Sequence, residues 1–367
     1  MRWLLVVSCW ILGLGCWGSP KQDSVSVDTI AKPREMSKIR QTIRGFDETE
    51  DYWIEPQHYE FQVMGQITRS YESFTLRSDE NSITLSPDSK TKVGPYFGWR
   101  WIFLGYTFDI KNIGFSKGGL KKEFDLSIYS SQVGVDLYYR RTGSDYKIRD
   151  VEFGNDSQEA LFEGMPFDGA TVGMTGVNAY YIFNHKRFSY PAAFAQSTCQ
   201  KVSCGSWMAG AGYTKNTIEF DYAKLQDALS SRMGYEVKLD SGMMFESIKY
   251  HDIMLSGGYA YNWVFAKNFL FCASLQLGLA YKTSYGDVAD ESKRHGFDFD
   301  FKNVNLDGIG RFGMVYNNTR WFAGMSAIFR TNRYRTSRFK ANNIFGSLTA
   351  YVGYNFVLKK KYRKQKG

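Results

Sequence analysis

The stretch that decides the fold is FLFCASLQLGLAY, residues 269–281. Its odd positions carry Phe, Ala, Leu and Tyr, whereas its even positions carry Leu, Cys, Ser, Gln, Gly and Ala. Successive side chains of a strand point to opposite faces, so this alternation predicts a two-faced strand. Soluble strands average about 5–6 residues, whereas a tilted strand that crosses a bilayer needs about 9–11. The stretch therefore predicts lipid on one face and a wet lumen on the other.

The same alternation recurs along the chain in segments of similar length. Backbone groups in lipid must all be paired, which a sheet achieves only by closing on itself. We therefore predict an all-β fold, a transmembrane antiparallel up-and-down β-barrel of about twelve strands, with ten to fourteen allowed. Segments that show the pattern are YEFQVMGQIT (59–68), WIFLGYTFDI (101–110), VGVDLYYRR (133–141), SWMAGAGYT (206–214), IMLSGGYAYNW (253–263), RWFAGMSAIFR (320–330) and SLTAYVGYNF (347–356).

The two ends of the chain have their own composition. Residues 1–18 carry one Arg and then a long apolar run, which is typical of a secretory signal peptide. Residues 19–56 are predicted to be a polar periplasmic arm, 57–358 the barrel, and 359–367 a basic tail. Whether Cys16, which follows Leu-Gly, is lipidated stays open.

Composition narrows the class further. The mean hydropathy of −0.38 argues against a multi-helix membrane protein, but a barrel strand is only half apolar. Aromatic residues make up 17% of the chain and cluster at segment ends, which predicts a belt at the membrane boundary. Six of the charges behind the net charge of +9 lie in the tail KKKYRKQKG, so no nucleic-acid-binding face is predicted.

Three longer stretches carry a family resemblance: GPYFGWRWIFLGYTFDI (94–110), EFDLSIYSSQVGVDLYYRRTGSDYKIR (123–149) and KRFSYPAAFAQST (186–198). From about Asp51 to Phe356 the chain resembles the uncharacterised outer-membrane barrel family of gut Bacteroidota, domain of unknown function four-four-two-one. The resemblance implies a cell outer membrane location in a Gram-negative envelope, reached through the periplasm, and no known activity. The expected partners are outer-membrane lipid and lipopolysaccharide and the barrel-assembly machinery, and the specific ligand stays open.

Long polar connections at 142–168, 184–205, 223–244 and 284–300 are predicted to face outward, opposite the short turns. If these loops converge, basic residues at and after the strand ends form a rim that binds phosphate or carboxylate. A solvated rim of ion pairs is the alternative. The candidate rim residues are Arg140, Arg141, Lys147, Arg149, Lys186 and Arg187.

Charges that alternate with apolar residues are predicted to face the lumen, where they tune a pore or pair and fill a narrow barrel. These are Asp136, Glu219, Asp221 and Arg330. Near Gly176 the apolar residues change phase, which predicts a bulge or kink.

Reactive residues give weaker signals. Cys199 and Cys204 are a possible local disulfide, and Cys272 is then single and inward-facing. No metal site, cofactor or catalytic residue is assigned, because neither His185 nor the His251-Asp252 pair matches a known motif. We predict a non-enzymatic barrel for envelope transport, small-solute passage or structure. An outer-membrane barrel enzyme acting on lipid or peptide and a soluble periplasmic lipocalin-like binding protein stay open.

Overall fold

The structure is a computed structural model that describes residues 49–99, 102–105, 108–109, 122–142, 145–154, 156–286, 303–335 and 339–363. The predicted signal peptide, most of the arm and the end of the basic tail lie outside these residues, as does most of the 284–300 loop. In the described part of the chain, no helix is long and apolar enough to cross a membrane.

Strands dominate the described residues, which form 19 strand segments. These are β1 (Ile54–Pro56), β2 (Tyr59–Arg77), β3 (Asn81–Pro87), β4 (Lys90–Trp99), β5 (Ile102–Gly105), β6 (Phe108–Asp109), β7 (Lys122–Tyr129), β8 (Val133–Arg141), β9 (Tyr146–Phe153), β10 (Asp156–Ser157), β11 (Met165–Phe167), β12 (Ala170–Ile182), β13 (Thr198–Gln200), β14 (Cys204–Phe220), β15 (Ser247–Ala266), β16 (Phe269–Gly286), β17 (Val304–Asn317), β18 (Trp321–Arg335) and β19 (Lys340–Leu358).

Helices are short and lie in the connections. They are α1 (Glu159–Phe162), α2 (Pro191–Phe194), α3 (Tyr222–Met233) and α4 (Lys360–Arg363), with a 3-10 turn at Ser241–Met243. The longest, α3, begins where Asp221 accepts a hydrogen bond from the Lys224 backbone N–H at 2.9 Å, and it ends at Gly234 with φ 77°. An Asp N-cap and a left-handed Gly are the expected signals for a helix start and end.

The long strands form one antiparallel sheet in which most neighbours in sequence are neighbours in space. The ladder runs from β7 through β8, β12, β14, β15, β16, β17, β18, β19 and β2 to β4, and β5 and β6 pair with β4. The hairpins at Asn268 and Thr319 each use a residue with positive φ, a common device in tight turns. β1 and β13 form a separate two-stranded ribbon.

The predicted number of about twelve strands is wrong. Within the described residues the main sheet has 16 strands when β5 and β6, which both pair with β4, count as one. The excess consists of β3, β9, β10 and β11, which have two to eight residues each and pair with one another or with the end of β2. Three of them, β9, β10 and β11, lie in the predicted 142–168 loop, and β3 lies between the predicted segments. None of the four has long alternation, so the pattern could not count them.

The predicted direct closure of the sheet is not observed among the described residues. No ladder joins β5 or β6 to β7, and residues 110–121 between them lie outside the described part of the chain. The two sides of the sheet are linked instead at one rim, where β3 follows β2 and pairs with β9. There the Tyr146 hydroxyl donates to Glu72 Oε1 at 2.8 Å.

The two faces of the sheet are sharply different. Along β16, Leu275 and Leu279 are 59% and 62% exposed, whereas Cys272 and Gln276 are 0% and 2% exposed. This matches the alternation predicted from residues 269–281. The sheet also curls on itself, because Asp136 on β8 pairs with Arg311 on β17 across a shared interior.

One end of the interior is filled by the connection between β12 and β14. We call the end with the short turns 130–132, 267–268 and 318–320 the proximal end, and residues 183–203 the plug. Phe188, Tyr190 and Ala193 of the plug are fully buried against the inner wall. The prediction that the 184–205 loop faces outward with the other long loops is therefore wrong, because its apolar residues fold inward at the proximal end.

The opposite, distal end is closed by a hydrophobic core, which we call the distal cap. Helix α3 contributes Leu225 and Leu229, α1 contributes Phe162, and the loop before β15 contributes Phe245. Apolar residues therefore face inward at this end, as Ile218 and Phe220 do. The predicted bulge near Gly176 is not found, because β12 pairs with β8 and β14 in continuous register. The apolar residues of β12 change face there because the interior is apolar under the distal cap.

Candidate functional site

Between the plug and the distal cap lies a group of buried charges, which we call the central charge network: Asp136, Asp252, Lys282, Asp307, Arg311 and Arg330. It is built from inward positions of β8, β15, β16, β17 and β18. Three carboxylates face three cations, so the set is formally neutral. Buried charges are tolerated when they are paired and hydrogen-bonded in this way.

Asp136 is the centre of the first half of the network. It accepts hydrogen bonds from Arg311 Nη2, from Arg330 Nη2 at 3.4 Å and from Ser127 Oγ at 2.7 Å. The buried guanidinium of Arg311 also donates to the hydroxyls of Tyr180 at 2.9 Å and Tyr190 at 3.2 Å. Since Tyr190 belongs to the plug, Arg311 ties the plug to the wall.

Lys282 is the centre of the second half. Its Nζ lies 2.9 Å from Asp307 Oδ2 and 3.4 Å from Asp252 Oδ2, and it donates to Asn332 Oδ1 at 2.6 Å. The other Asp307 oxygen accepts the Arg333 backbone N–H at 2.8 Å. These contacts link inward positions of four adjacent strands, β15, β16, β17 and β18.

A cavity of about 40 Å³ separates the two halves, with Asp252, Asp307 and Arg330 in its lining. Buried polar atoms of Asn178 and Asp252 have no protein partner there. One water needs about 10–15 Å³ of such volume, so a few ordered waters fit and would satisfy these atoms. Among the described residues, no three His, Cys, Asp or Glu side chains are placed to hold a metal.

The four predicted lumen charges separate into two pairs. Asp136 and Arg330 lie inside and belong to the central charge network. Glu219 instead points outward, where its Oε2 lies 3.8 Å from Arg141 Nη2, and Asp221 caps α3. Both predictions are wrong because apolar residues occupy the inner face under the distal cap, which reverses the usual phase.

Four members of the network were missed from the sequence: Asp252, Lys282, Asp307 and Arg311. The sequence does indicate that Lys282 faces inward, because the even-numbered residues 270–280 face inward and Lys282 is the next even position on the same strand. Arg311 likewise shares the inward phase of Gly313 and Val315. Only the pairing of distant strands shows that these charges meet.

The six predicted rim cations do not form one anion site. Lys147 and Arg149 lie at the distal rim and pair with Asp88 at 2.6 and 3.3 Å, and the Lys147 hydrogen bond lowers the Asp88 pKa. Arg187 lies at the proximal end, 3.2 Å from Glu50, next to Lys186.

Arg140 and Arg141 are also apart from each other. Arg140 points inward and stacks over the Phe345 ring at 5.0 Å, whereas Arg141 points outward. The predicted convergence therefore fails, because the loop with Lys186 and Arg187 belongs to the opposite end.

The possible disulfide between Cys199 and Cys204 is not formed. Cys199, Cys204 and Cys272 are free thiols. Cys199 lies on the ribbon strand β13 and donates to the Asn317 carbonyl oxygen at 3.7 Å, whereas Cys204 opens β14 and accepts from Asn184 Nδ2 at 3.2 Å. The two sulfurs face different neighbours because the chain turns outward between them to start the wall.

The histidines considered for catalysis also point to different surroundings. His251 lies on the outer face, where its Nδ1 bonds the Tyr213 hydroxyl, while the adjacent Asp252 points inward. His185 Nε2 accepts from Gln132 Nε2 at 2.8 Å at the base of the plug. His251 and Asp252 therefore do not act on a common group.

The fold therefore defines a class of protein: a curled antiparallel sheet with apolar side chains outside and buried charges in the middle of its interior. The plug and the distal cap fill the two ends of that interior. The family model for the Domain of unknown function (DUF4421) matches residues 49–356, and the chain belongs to this family. No curated protein matches the chain.

Several solved outer-membrane structures are similar to the chain. The outer membrane protease OmpT from Escherichia coli is 7% identical, with a TM-score of 0.36 and coverage of 82% of this chain and 98% of its own. The translocator domain of the autotransporter NalP from Neisseria meningitidis is 9% identical, with a TM-score of 0.31 and coverage of 87% and 94%. The outer membrane protein OprG from Pseudomonas aeruginosa is 10% identical, with a TM-score of 0.23 and coverage of 82% and 98%.

Proposed function

We propose that the chain is an integral outer-membrane β-barrel that its own residues seal at both ends, and that it serves the envelope as a non-enzymatic structural or gated element. One observation carries this proposal: the distribution of polarity across the sheet is inverted. Leu255 and Leu279 are 68% and 62% exposed on the outer face, whereas Arg311 and Lys282 are 1% and 2% exposed inside.

The inversion has a large energetic consequence. Each square ångström of apolar surface left in water costs about 25 cal/mol, and monomeric soluble proteins rarely expose contiguous apolar patches above a few hundred Å². Outward apolar side chains here recur from β2 through β19, so hydrocarbon is the solvent that suits this face. In that solvent an open edge is costly, so a closed sheet is part of this proposal.

Outer-face tryptophans support the same placement. Trp99, Trp207, Trp263 and Trp321 all lie within a few residues of the proximal ends of their strands and are 43–67% exposed. Trp prefers the boundary between hydrocarbon and water. We place the proximal end, with the plug, in the periplasm, since short turns lie on that side in bacterial barrels.

A sealed interior favours a closed barrel over an open pore. The plug fills the proximal end, the central charge network crosses the middle and the distal cap fills the other end. The cavity beside the central charge network has room for only a few waters. Steady passage of solutes would need at least one of these parts to move.

The experiment combines membrane fractionation, heat-modifiable gel mobility and planar-bilayer recording on the mature chain. We expect recovery in the outer membrane, a mobility change on heating, and insertion without steady current. Recovery wholly in the soluble fraction would overturn the membrane assignment and favour a soluble binder. A steady wild-type current would overturn the sealed barrel while leaving the membrane assignment intact.

A further inference from the structure

A second cavity lies at the proximal end, apart from the central charge network. It measures about 590 Å³ and lies between the ribbon strand β13 and the turns that join β15 to β16 and β17 to β18. Pockets for small organic ligands usually measure about 300–1,000 Å³. The cavity is therefore large enough for a ligand, unlike the central one.

Its floor is apolar although it lies at the mouth of the barrel. Ala192 from the plug and Leu270 and Val315 from the wall are 2%, 5% and 1% exposed and line it. Leu270 and Val315 are paired neighbours on β16 and β17, and both point inward. Farther along these two strands the inward residues are mixed and include the charged Lys282 and Arg311. The floor of the cavity therefore lacks the charges that line the middle of the same strands.

The rim of the cavity is cationic. Lys201 and Lys267 both line it, and in the described chain neither forms an ion pair. Lys201 Nζ donates to the backbone oxygen of Asp51 at 2.9 Å, which leaves its charge uncompensated. The one carboxylate in the lining, Glu55, pairs with His58 at 3.2 Å. The charged side chains of the lining thus sum to a net positive charge.

From this combination we propose that the proximal cavity binds a single-chain amphiphile with an anionic head. The chain lies on Ala192, Leu270 and Val315, and the head accepts hydrogen bonds from Lys201 and Lys267. A carboxylate and a phosphate monoanion share this chemistry, so a free fatty acid and a lysophospholipid are both suitable sources. The proposal goes beyond the sealed barrel and does not depend on conductance.

The test uses full-length mature protein in amphipol and isothermal titration with three twelve-carbon probes: dodecanoate, dodecanol and dodecyltrimethylammonium. We expect dodecanoate to bind and the cationic probe to bind at least about tenfold more weakly, since only an anionic head accepts charge-assisted hydrogen bonds from the two lysines. K201E/K267E should lose about tenfold in dodecanoate affinity. K215E/K249E is the matched control, because it makes the same charge change on the exposed outer face.

The floor is tested by V315F, which should weaken all three probes by filling the cavity. If V315F fails to show heat-modifiable mobility, a second measurement replaces it. In a C204S/C272A background, bound dodecanoate should slow the alkylation of Cys199 by iodoacetamide, because Cys199 lines the same cavity. Lysophosphatidylglycerol as a fourth probe distinguishes a lipid phosphate from a free acid. The proposal is overturned if the three probes bind with equal affinity, if K201E/K267E binds dodecanoate as tightly as the wild type, or if no probe binds. Heat-modifiable mobility reports separately on the barrel.

Discussion

Gln196 Nε2 donates to the Tyr351 hydroxyl at 2.6 Å, and this buried bond joins the plug to β19. Gln196 has positive φ (53°), and its side chain also donates to the Ala193 carbonyl oxygen at 3.2 Å. The side-chain amide of Gln196 therefore both completes the last turn of α2 and bonds that helix to β19.

Y351F should loosen the plug, because it removes the only side-chain acceptor of Gln196 in the described residues. Cys272 is the reporter, since it is 0% exposed and packs with Ala192 and Ala193 beneath the plug. In a C199S/C204S background, we expect Y351F to raise the rate of Cys272 labelling by maleimide.

The control is Y354F, which removes a hydroxyl from the same strand. The Tyr354 hydroxyl accepts a hydrogen bond from Arg320 Nη2 at 2.7 Å, and in the described part of the chain it forms none with a plug residue. Equal labelling rates for Y351F and Y354F would contradict a plug held by this bond.

R311M should destabilise the folded sheet strongly, because it leaves the Asp136 carboxylate buried with only Arg330 as a cation partner. Breaking a buried ion pair typically costs about 3–5 kcal/mol. The measurement is the urea midpoint of the heat-modifiable band. R311M/D136N should lose less than the two single variants together, since the charges of Arg311 and Asp136 are removed as a pair.

A surface arginine provides the comparison for R311M. Arg320 lies in the turn before β18 and is bonded to Tyr354 at the surface. R320M should change the midpoint little, because exposed pairs contribute about 0–1 kcal/mol. Equal effects of R311M and R320M would show that the interior is more hydrated than its burial indicates.

G258A and G257A form a matched pair on β15. A Cβ at Gly258 would lie 2.7 Å from Gln276 Cα and closer still to the Leu275 carbonyl oxygen, whereas one at Gly257 meets nothing within 4 Å. Overpacking costs about 1–3 kcal/mol, so G258A should lower the unfolding midpoint and G257A should not. If both variants unfold alike, the register of β15 against β16 is different from that described.

Cys199 should alkylate slowly at pH 8. Packing around the sulfur desolvates the thiolate, and with repulsion from Glu55 this raises the pKa of Cys199 from its ordinary 9.0 to about 12. A raised pKa keeps the thiol protonated, so in a C204S/C272A background iodoacetamide should react with Cys199 about a thousandfold more slowly in the folded than in the unfolded protein. The folded rate should rise with pH well above pH 9, and a plateau at pH 9 would contradict the shift.

The sequence predicted the wall best where alternation is long. Residues 269–281 are assigned the correct inner and outer faces because apolar residues alternate with small or polar ones over the whole length of that strand. Glu219 was assigned to the wrong face because the same rule fails under the distal cap, where the interior is apolar too. Lys282 was within reach of the rule, since it keeps the phase of Gln276 and Ala280.

The plug could not be recognised from its sequence. Residues 183–203 carry buried Phe188 and Tyr190 with polar neighbours, which is equally compatible with an outward loop. The ion pair of Arg311 with Asp136 was likewise hidden, because 175 positions separate them.

The amino-acid order alone determined that this chain forms long two-faced strands with an apolar outer side, because side chains of a strand alternate whatever the strand pairs with. Only the tertiary structure decided what fills the interior. A plug, a cap and a charge network depend on which strands lie opposite one another, and such contacts between distant residues leave no local pattern in the sequence.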